Sequence, residues 1–369
     1  MTKPGSKPIA FFLPSLRGGG AERVIVNLAQ GITERGIPVD LVLSAATGIF
    51  LDQLPPAVRL VDLGAGRTLR SLIPLAGYLR REQPRVLVSS MSHANLVALW
   101  AARLAHRGTP VVVTVHNTLS QSARQQGRVI AVLSPHLLRV FYPWAAGVVA
   151  VSRGAADDLA RTSGLPRDRM EVVYNPVITP AMLALARQAP DHPWFSPGQP
   201  PVILGVGRLT RQKDFPTLIR AFAQVRHRRA ARLIILGEGE DRAALEALVN
   251  ELRLTDDVRL PGFRGNALAY MAGSALFVLS SAWEGLPTAL IEALAVGTPV
   301  ISTDCPSGPK EILQEGRLGA LVPVGDVAAL AAAMSAAMDL PPGIVPPDAL
   351  APFTMDAAVD HYLRLIEST

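Results

Sequence analysis

The sequence lacks most of the features of secreted, thiolate-metal or membrane-spanning proteins. Its 369 residues include one cysteine, Cys305, which excludes an internal disulfide and a multi-cysteine metal site and is typical of a reducing cytoplasm. The longest uncharged stretch, residues 265–283, is interrupted by glycine, serine and asparagine, so no transmembrane segment is expected. The apolar run at residues 9–13 is too short for a secretory signal.

Acidic residues are scarce in the first half of the chain. Residues 1–178 contain 20 Lys or Arg and 10 Asp or Glu, whereas residues 179–369 contain 16 and 20. Residues 83–156 contain no acidic residue but seven arginines. A cationic surface attracts anionic lipid headgroups, phosphate-bearing substrates or nucleic acid, and the charge alone does not choose between them. Solvated arginine-rich faces explain the composition equally well.

Short runs of Val, Ile and Leu alternate with stretches of helical spacing along the whole chain. Apolar runs without a polar residue at every second position predict strands buried on both faces, and the intervening helices permit parallel pairing. Each half therefore predicts its own doubly wound α/β domain. The predicted strands are residues 9–13, 39–43, 86–88, 111–115, 148–151, 172–174, 202–206, 233–236, 258–260, 276–279, 300–302 and 320–322.

Proline clusters suggest the domain boundaries. Seven prolines lie between residues 175 and 201, where we expect an interdomain linker. The predicted organisation is a first domain of residues 1–178, a linker of residues 179–198, a second domain of residues 199–350 and a closing segment of residues 351–369. A helix is expected over residues 355–366, after the last strand and without a partner strand.

The first loop that could carry chemistry runs from Arg17 to Arg23 and contains Gly19 and Gly20. Glycines let the backbone approach a ligand closely, and the free amides of a helix N-terminus favour a phosphate. The loop does not match the dinucleotide-binding fingerprint Gly-x-Gly-x-x-Gly, because Arg23 stands where its last glycine would be. The chain also contains no P-loop motif. A tight structural turn is the alternative interpretation.

The second loop follows the first strand of the second half and contains Arg208 and Lys213. Arg208 offers a planar fork suited to phosphate oxygens, and Lys213 a mobile point charge. Doubly wound domains bind ligands beyond the carboxyl ends of their strands, where this loop lies. Solvated surface cations are the alternative.

The third and most specific feature is a pair of glutamates, Glu284 and Glu292. Pro287 and Gly297 predict a short helix over residues 287–296 that carries Glu292 among apolar residues. A carboxylate in that setting needs a partner, and a ribose diol could donate from both hydroxyls. A buried structural ion pair is the alternative.

The fourth feature is His116, at the end of a predicted strand of the first half. A lone histidine is more often structural than catalytic, but a residue at the carboxyl end of such a strand faces the ligand crevice. The position therefore favours a functional histidine.

Together the four loops resemble the pattern of the family 4 glycosyltransferases, retaining enzymes with the two-domain GT-B fold. The resemblance covers nearly the whole chain, and its specific part is Gly-Arg-x-x-x-x-Lys followed by two glutamates with seven residues between them. Residues 302–312 are similar to those of members that build bacterial surface polysaccharides and lipid-linked glycans. The motifs that carry the resemblance are Gly19–Arg23, Val173–Pro176, Gly207–Asp214, Glu284–Glu292 and Ser302–Ile312.

The resemblance implies an α/β fold of two Rossmann-like domains facing a cleft, with a C-terminal helix that crosses back to the first domain. It implies that cations hold the donor diphosphate, one glutamate holds the ribose, and the other contacts the donor sugar. The residues implied to be catalytic are His116, Glu284, Arg208 and Lys213. The residues implied to bind the donor are Gly19, Gly20, Arg208, Lys213, Glu284, Gly285, Leu286, Thr288 and Glu292.

Neither a cofactor nor a metal ion is expected. Breaking a sugar-phosphate bond develops negative charge on the departing diphosphate, and cations already in place stabilise that charge. The sequence contains no Asp-x-Asp motif, the usual carboxylate platform for a divalent ion. The predicted partners are a nucleotide sugar, with uridine as the expected base, and a lipid-linked or polysaccharide acceptor.

The sequence also suggests an anionic membrane surface as a partner. Leu137, Leu138, Val140, Phe141 and Trp144 lie beside Arg139 and could enter the lipid interface, although a helix packed on the first sheet is equally compatible. We therefore expect a cytoplasmic protein, peripheral at the inner face of the membrane. No motif supports nucleic-acid binding.

Two other functions fit the same residues. One is a sugar-nucleotide epimerase or a glycan phosphorylase with the same fold. The other is non-catalytic, a nucleotide-sugar sensor or a membrane scaffold. The oligomeric state, the donor sugar and the acceptor hydroxyl stay open at this stage.

Overall fold

The computed structural model of the chain describes residues 7–120, 128–339 and 345–369. The chain divides into two compact units, residues 1–177 with 352–369 and residues 178–351. Each unit has its own parallel sheet, so the predicted pair of doubly wound α/β domains is confirmed. Among the helices of the described residues, none is both long and apolar enough to cross a bilayer.

The first unit contains a seven-stranded parallel sheet in the order β3-β2-β1-β4-β5-β6-β7. Its strands are β1 (Ile9–Leu13), β2 (Val39–Leu43), β3 (Val58–Asp62), β4 (Val86–Ser90), β5 (Val111–Val115), β6 (Gly147–Ala150) and β7 (Met170–Val172). Its helices are Gly20–Glu34, Leu72–Glu82, Ser92–Ala105, Arg128–Phe141, Arg153–Ser163 and Met355–Ser368. Along β1, Ala10 and Phe12 join one core cluster and Phe11 joins another. Both faces of the sheet are therefore covered, which explains the unalternating apolar strands.

The second unit contains a six-stranded parallel sheet in the order β10-β9-β8-β11-β12-β13. Its strands are β8 (Val202–Val206), β9 (Arg232–Leu236), β10 (Val258–Gly262), β11 (Leu276–Leu279), β12 (Val300–Thr303) and β13 (Ala320–Val322). Its helices are Pro180–Ala186, Phe215–Arg228, Arg242–Glu251, Ala267–Gly273, Thr288–Ala295, Pro309–Ile312, Val327–Ala337 and Pro347–Leu350.

The strand order reverses once in each sheet, between β1 and β4 in the first and between β8 and β11 in the second. At such a point the connections on the two sides run in opposite directions and leave a crevice at the carboxyl edge of the sheet. The loops that follow β1, β8 and β11 therefore lie at the positions where doubly wound sheets bind ligands. These are the glycine loop, the loop with Arg208 and Lys213, and the loop with Glu284.

Two strands differ from the prediction. β3 was not predicted because only Val58 of its five residues is buried, so this edge strand lacks a continuous apolar run. The strand predicted at residues 172–174 is β7, at Met170–Val172.

Residues 179–198, where the prolines predicted a linker, lie within the second unit. Pro180 begins a helix whose N-terminus is capped by Thr179, which accepts a hydrogen bond from the Met182 amide at 3.1 Å. The Tyr270 hydroxyl donates to the Asp191 carbonyl at 2.7 Å. Prolines here begin helical turns, for which their fixed φ is suited, and the segment packs on its own unit.

The last helix, Met355–Ser368, packs on helix Gly20–Glu34 of the first unit. Gly31 permits this contact, because a Cβ there would lie 2.7 Å from Cγ2 of Val359. Arg35 pairs with Asp356 and Asp360 at the rim. The predicted closing helix is confirmed, and the chain returns to its first unit to complete that unit's core.

Candidate active site

In the second unit, the loops after β8 and β11 meet through an ion pair. The Lys213 Nζ atom lies 2.6 Å from Oε1 of Glu284, and the two side chains are only 18% and 7% exposed. They come from adjacent strands on opposite sides of the point where the strand order reverses. Two residues that the sequence predicted separately are therefore brought into direct contact.

The Glu284 carboxylate has further donors that were not predicted from the sequence. The Ser281 hydroxyl donates to Oε1 at 2.6 Å, and the Gln212 amide contacts Oε2 at 3.4 Å and donates to the Trp283 carbonyl at 3.0 Å. Oε1 is thus well satisfied, whereas Oε2 keeps capacity to accept from a ligand. The available signal was proximity, since Gln212 precedes Lys213 and Ser281 lies three residues before Glu284.

The two loops are also joined through their backbones. The Ser280 hydroxyl donates to the Lys213 carbonyl at 2.7 Å, and the Ala282 amide donates to the Gln212 carbonyl at 2.8 Å. From β12, the Thr303 hydroxyl donates to the Ser281 carbonyl at 2.6 Å. Hydrogen bonds to the backbones of both loops therefore fix the positions of Lys213 and Glu284.

Arg208 lies in the same loop and is exposed. The loop after β9 packs against the backbone on both sides of Arg208. A Cβ on Gly237 would lie 1.9 Å from the Gly207 carbonyl oxygen, and the Leu209 amide donates to the Glu238 carbonyl at 2.9 Å. Within the described part of the chain, the Arg208 guanidinium makes no ion pair. A fixed backbone with an unpaired guanidinium suits the binding of an external anion.

The segment from Gly285 to Glu292 is held by the loop after β12. The Gly285 carbonyl accepts from the Ser307 hydroxyl at 2.8 Å, and Gly308, at φ +93°, leaves no room for a Cβ against Pro287. The predicted helix is present as Thr288–Ala295. The remaining predicted donor residues lie in this segment, buried at Leu286 and half-buried at Thr288 and Glu292.

Cys305 is buried beside this site. Burial, followed by the nearby charge of Glu284, raises the pKa of its thiol to about 12. The thiol is therefore protonated at neutral pH and is not an activated nucleophile.

In the first unit, His116 follows β5 and is half-buried. Its Nε2 lies 3.0 Å from the Thr114 hydroxyl and 3.4 Å from the Ser90 hydroxyl, and those two hydroxyls are 2.7 Å apart. Burial lowers the pKa of His116 to about 4. The imidazole is neutral at pH 7, so it can exchange hydrogen bonds with a ligand but adds no positive charge.

The glycine loop follows β1 and opens helix Gly20–Glu34. A Cβ on Gly19 would lie 2.1 Å from Oε2 of Glu22, whereas a Cβ on Gly20 would meet no atom within 4 Å. Gly19 and Gly20 are exposed, and Glu22 is 8% exposed. The loop therefore presents open backbone at Gly20 next to a nearly buried carboxylate.

Each unit brings its own set of predicted residues to the carboxyl edge of its sheet. Lys213 and Glu284 are in contact and Arg208 shares their loop, while His116 and the glycine loop follow strands of the first sheet. Among the residues that the structure describes, no cluster of three or more His, Cys, Asp or Glu side chains could hold a metal ion.

Two family models match the chain and together span most of it. Residues 18–179 match the model described as Glycosyltransferase Family 4, and residues 188–345 match the model described as Glycosyl transferases group 1. The matched ranges contain every residue that the sequence analysis assigned to the donor site.

Curated relatives include bacterial enzymes of surface-glycan synthesis. The chain is 27% identical to the Rhizobium meliloti lipopolysaccharide core biosynthesis glycosyltransferase LpsE, over 86% of this chain and 85% of that protein. It is 30% identical to the Campylobacter jejuni N-acetylgalactosamine-N,N'-diacetylbacillosaminyl-diphospho-undecaprenol 4-alpha-N-acetylgalactosaminyltransferase, over 63% of this chain and 61% of that protein. A 49% identical match to the uncharacterized glycosyltransferase MJ1059 of Methanocaldococcus jannaschii spans 28% of its length.

Solved structures share the architecture over nearly the whole chain. The Anabaena protein Alr3699/HepE in complex with UDP and glucose matches with a TM-score of 0.78 at 20% identity, over 98% of this chain and 100% of that one. The lipopolysaccharide outer core galactosyltransferase WaaB matches with a TM-score of 0.71 at 20% identity, over 98% and 99%. At these identities the likeness establishes the fold.

Proposed function

Because the chain belongs to the family 4 glycosyltransferases and has their GT-B fold, we propose that it is a retaining hexosyltransferase. It transfers a hexose or N-acetylhexosamine from a nucleoside diphosphate sugar to a glycan acceptor in bacterial cell-surface synthesis. The observation that carries the proposal is the Lys213–Glu284 pair beside the unpaired Arg208, at the point where the strand order of the second sheet reverses.

Arg208 and Lys213 receive the departing diphosphate in this proposal. When the bond between sugar and phosphate breaks, negative charge grows on the leaving group, and cations fixed nearby stabilise it more than they stabilise the intact donor. The hydrogen-bonded and closely packed backbone around Lys213 and Gly207 reduces the reorganisation needed to stabilise the charge on the diphosphate. The proposed reaction needs no metal ion, so turnover in EDTA should equal turnover in added Mg²⁺.

Glu284 orients the donor sugar through its less occupied oxygen. Oε1 already accepts from Lys213 and Ser281, whereas among the described residues Oε2 has only the long contact to Gln212. A sugar hydroxyl donating to Oε2 would fix the sugar next to the cations that hold its leaving group. Glu292, on the following helix, is the proposed partner of the ribose hydroxyls.

Uridine is the proposed base and a lipid-linked or polysaccharide acceptor the proposed second substrate. Support for the base comes from the fold neighbour HepE, whose structures contain UDP, UDP with glucose, or UDP-glucose. Support for the acceptor comes from relatives named for lipopolysaccharide core or undecaprenol-linked glycan synthesis.

The first unit carries a surface suited to an anionic membrane. Trp100, Phe141 and Trp144 pack with ring centroids 5.0–5.3 Å apart, and the Arg103 guanidinium lies 4.8 Å from the Trp144 ring. Val140 next to them is 57% exposed. Aromatic and apolar side chains beside arginine favour the lipid interface, so we propose peripheral binding at the cytoplasmic face of the membrane.

A nucleotide-sugar panel tests the proposed activity. The protein is incubated with labelled UDP, GDP and ADP sugars and a bacterial lipid extract, with and without inorganic phosphate. We expect phosphate-independent transfer from a UDP sugar, and its loss in Lys213→Ala and Glu292→Ala. A strict requirement for phosphate would indicate a phosphorylase, and neither transfer nor donor hydrolysis across the panel would contradict the proposal.

Vesicle sedimentation tests the membrane surface. Wild type should bind vesicles containing phosphatidylglycerol, more weakly as salt is raised, and Arg103→Glu should weaken this binding. Arg232→Glu is the control, because Arg232 stacks on Trp194 in the second unit. Equal binding by all three proteins, or none by wild type, would contradict membrane association through this surface.

A further inference from the structure

Next to His116, the first unit contains buried hydroxyl groups around the side chain of Thr114. Thr114 lies near the end of β5 and His116 follows two residues later, so their side chains point to the same side of the sheet. Ser90, on the neighbouring strand β4, is the register partner of Thr114. Thr114 and Ser90 are both fully buried, so their hydroxyls need partners within the protein.

Three polar atoms surround the hydroxyl oxygen of Thr114. They are the Ser89 carbonyl oxygen at 3.1 Å, Ser90 Oγ at 2.7 Å and His116 Nε2 at 3.0 Å. A hydroxyl group donates one hydrogen bond and accepts two, whereas a carbonyl oxygen only accepts. All three contacts are therefore hydrogen bonds only if Thr114 donates to Ser89 and accepts from the other two groups.

This arrangement determines which imidazole nitrogen carries the proton. His116 Nε2 has to donate to Thr114, so it is the protonated nitrogen. Burial lowers the pKa of His116 to about 4, so the ring is neutral at pH 7 and carries a single N–H. Nδ1 is then an acceptor, and among the described residues it makes no hydrogen bond.

Two further buried side chains hold the backbone of Thr114. The Asn95 amide donates to the Thr114 carbonyl at 2.9 Å and to the Tyr142 hydroxyl at 3.0 Å. Asn95 comes from helix Ser92–Ala105 and Tyr142 from the helical turn before β6, and both are fully buried. The group that accepts from His116 is therefore fixed through both its backbone and its hydroxyl.

We propose that Thr114 is a positioning residue, which holds His116 in the tautomer protonated at Nε2 and leaves Nδ1 to accept from a substrate hydroxyl. The inference rests on the proposed glycosyl transfer. A neutral acceptor nitrogen selects a hydrogen-bond donor and contributes nothing to the binding of a diphosphate. Thr114→Ser keeps the hydroxyl on which this role depends, whereas Thr114→Val removes it with little change of shape.

NMR of protein with isotope-labelled histidine measures the tautomer directly. The chain has seven histidines, and His116→Gln identifies the His116 signals by their loss. In wild type at pH 7 we expect a protonated Nε2 and an unprotonated Nδ1. The Nε2 hydrogen should exchange with water about 10-fold faster in Thr114→Val, and at the wild-type rate in Thr114→Ser. A protonated Nδ1 in wild type would overturn the inference.

Kinetics test whether Thr114 acts through His116. Thr114→Val should lower kcat about 10-fold, the loss expected for one hydrogen bond, and Thr114→Ser should retain most of the wild-type kcat. When it is added to His116→Gln, Thr114→Val should cause no further loss. Thr33→Val is the matched control and should keep the wild-type kcat, because the Thr33 hydroxyl donates to the Gln30 carbonyl at 2.8 Å within helix Gly20–Glu34.

The same variants supply the contradicting results. Equal fractional losses of kcat from Thr114→Val in the wild-type and His116→Gln backgrounds would show that Thr114 supports the fold alone. A Thr114→Ser protein as slow as Thr114→Val would exclude a role for the hydroxyl. A wild type that transfers no sugar would overturn the proposed function, and the NMR measurement would still decide whether Thr114 sets the tautomer of His116.

Discussion

At the scale of single residues, the candidate site of the second unit contains a largely buried ion pair. Lys213 and Glu284 are 2.6 Å apart and largely buried, and Ser281 donates to the same glutamate oxygen. Such a pair contributes little net stability compared with an apolar replacement, but removal of one partner is costly because it leaves a buried charge. The pair lies at the edge of the sheet where doubly wound domains bind ligands.

The first prediction concerns removal of that cation. Lys213→Ala should lower the free energy of unfolding by about 3 kcal/mol, because the Glu284 carboxylate then lacks its counter-ion. The double variant Lys213→Ala/Glu284→Gln should regain part of this loss, since the carboxamide carries no charge. Urea unfolding of the two variants measures the difference, and a double variant less stable than Lys213→Ala would contradict it.

The second prediction concerns His116 and pH. Burial lowers its pKa to about 4, whereas the unfolded chain takes up this proton near pH 6.5. Acid therefore favours the unfolded state, and stability should fall as the pH drops from about 6.5 to about 4, by up to about 3 kcal/mol for this group. Thermal unfolding of wild type and His116→Gln between pH 7 and 4.5 isolates the effect, and parallel profiles would contradict the lowered pKa of His116.

The sequence supplied candidate site residues, but it could not supply their contacts. Arg208, Lys213 and Glu284 belong to a recognisable spacing, and strand-end position indicated His116. The Ser281 and Gln212 contacts depend on side-chain direction and on which strands are neighbours, and a pattern along the chain does not contain that information. Glu22 was part of a quoted motif, yet only the structure showed its carboxylate over Gly19.

At the scale of elements, apolar runs predicted the buried strands well and edge strands poorly. β1, β8 and β11 match the predicted residues because both faces of each are covered. β3 lies at the edge of its sheet with one buried residue, so its sequence carries little apolar signal. The sequence signal of Pro180 was also ambiguous, because proline can mark a linker or the first turn of a helix.

The third prediction concerns the glycine loop as an element. Gly20→Ala meets open space and improves helix propensity, so it should leave stability unchanged or raise it by about 0.5–1 kcal/mol. If the donor approaches the backbone at Gly20 as proposed, the added methyl group should nevertheless slow transfer. Melting curves and donor turnover measured on the same preparation provide the check. Unchanged turnover would show that no ligand comes close to Gly20.

At the scale of the whole molecule, the chain forms two units and then returns to the first. The first unit includes the long arginine-bearing stretch without acidic residues, and its core includes Val359, Tyr362 and Ile366 from the last helix. The second unit is built from residues 178–351 without that helix. The sequence predicted the return only through the family resemblance, since a helix without a partner strand does not itself specify where it packs.

The fourth prediction follows from this return. A chain that ends at Ala351 should lose stability in the first unit alone, because its core then lacks four large side chains of the last helix, Val359, Tyr362, Leu365 and Ile366. Calorimetry should show one transition shifted to lower temperature and the transition of the second unit retained. Equal shifts of both transitions would contradict the division into units.

Arg208 is proposed to bind the departing diphosphate, and a comparison of two arginines in its loop tests this role. Arg208 and Arg211 are both exposed and lie three residues apart in the same loop. Turnover of the accepted nucleotide sugar should fall about 10²- to 10³-fold in Arg208→Ala, and Arg211→Ala should stay within about twofold of wild type. Full activity in Arg208→Ala, or equal losses in both variants, would contradict the account.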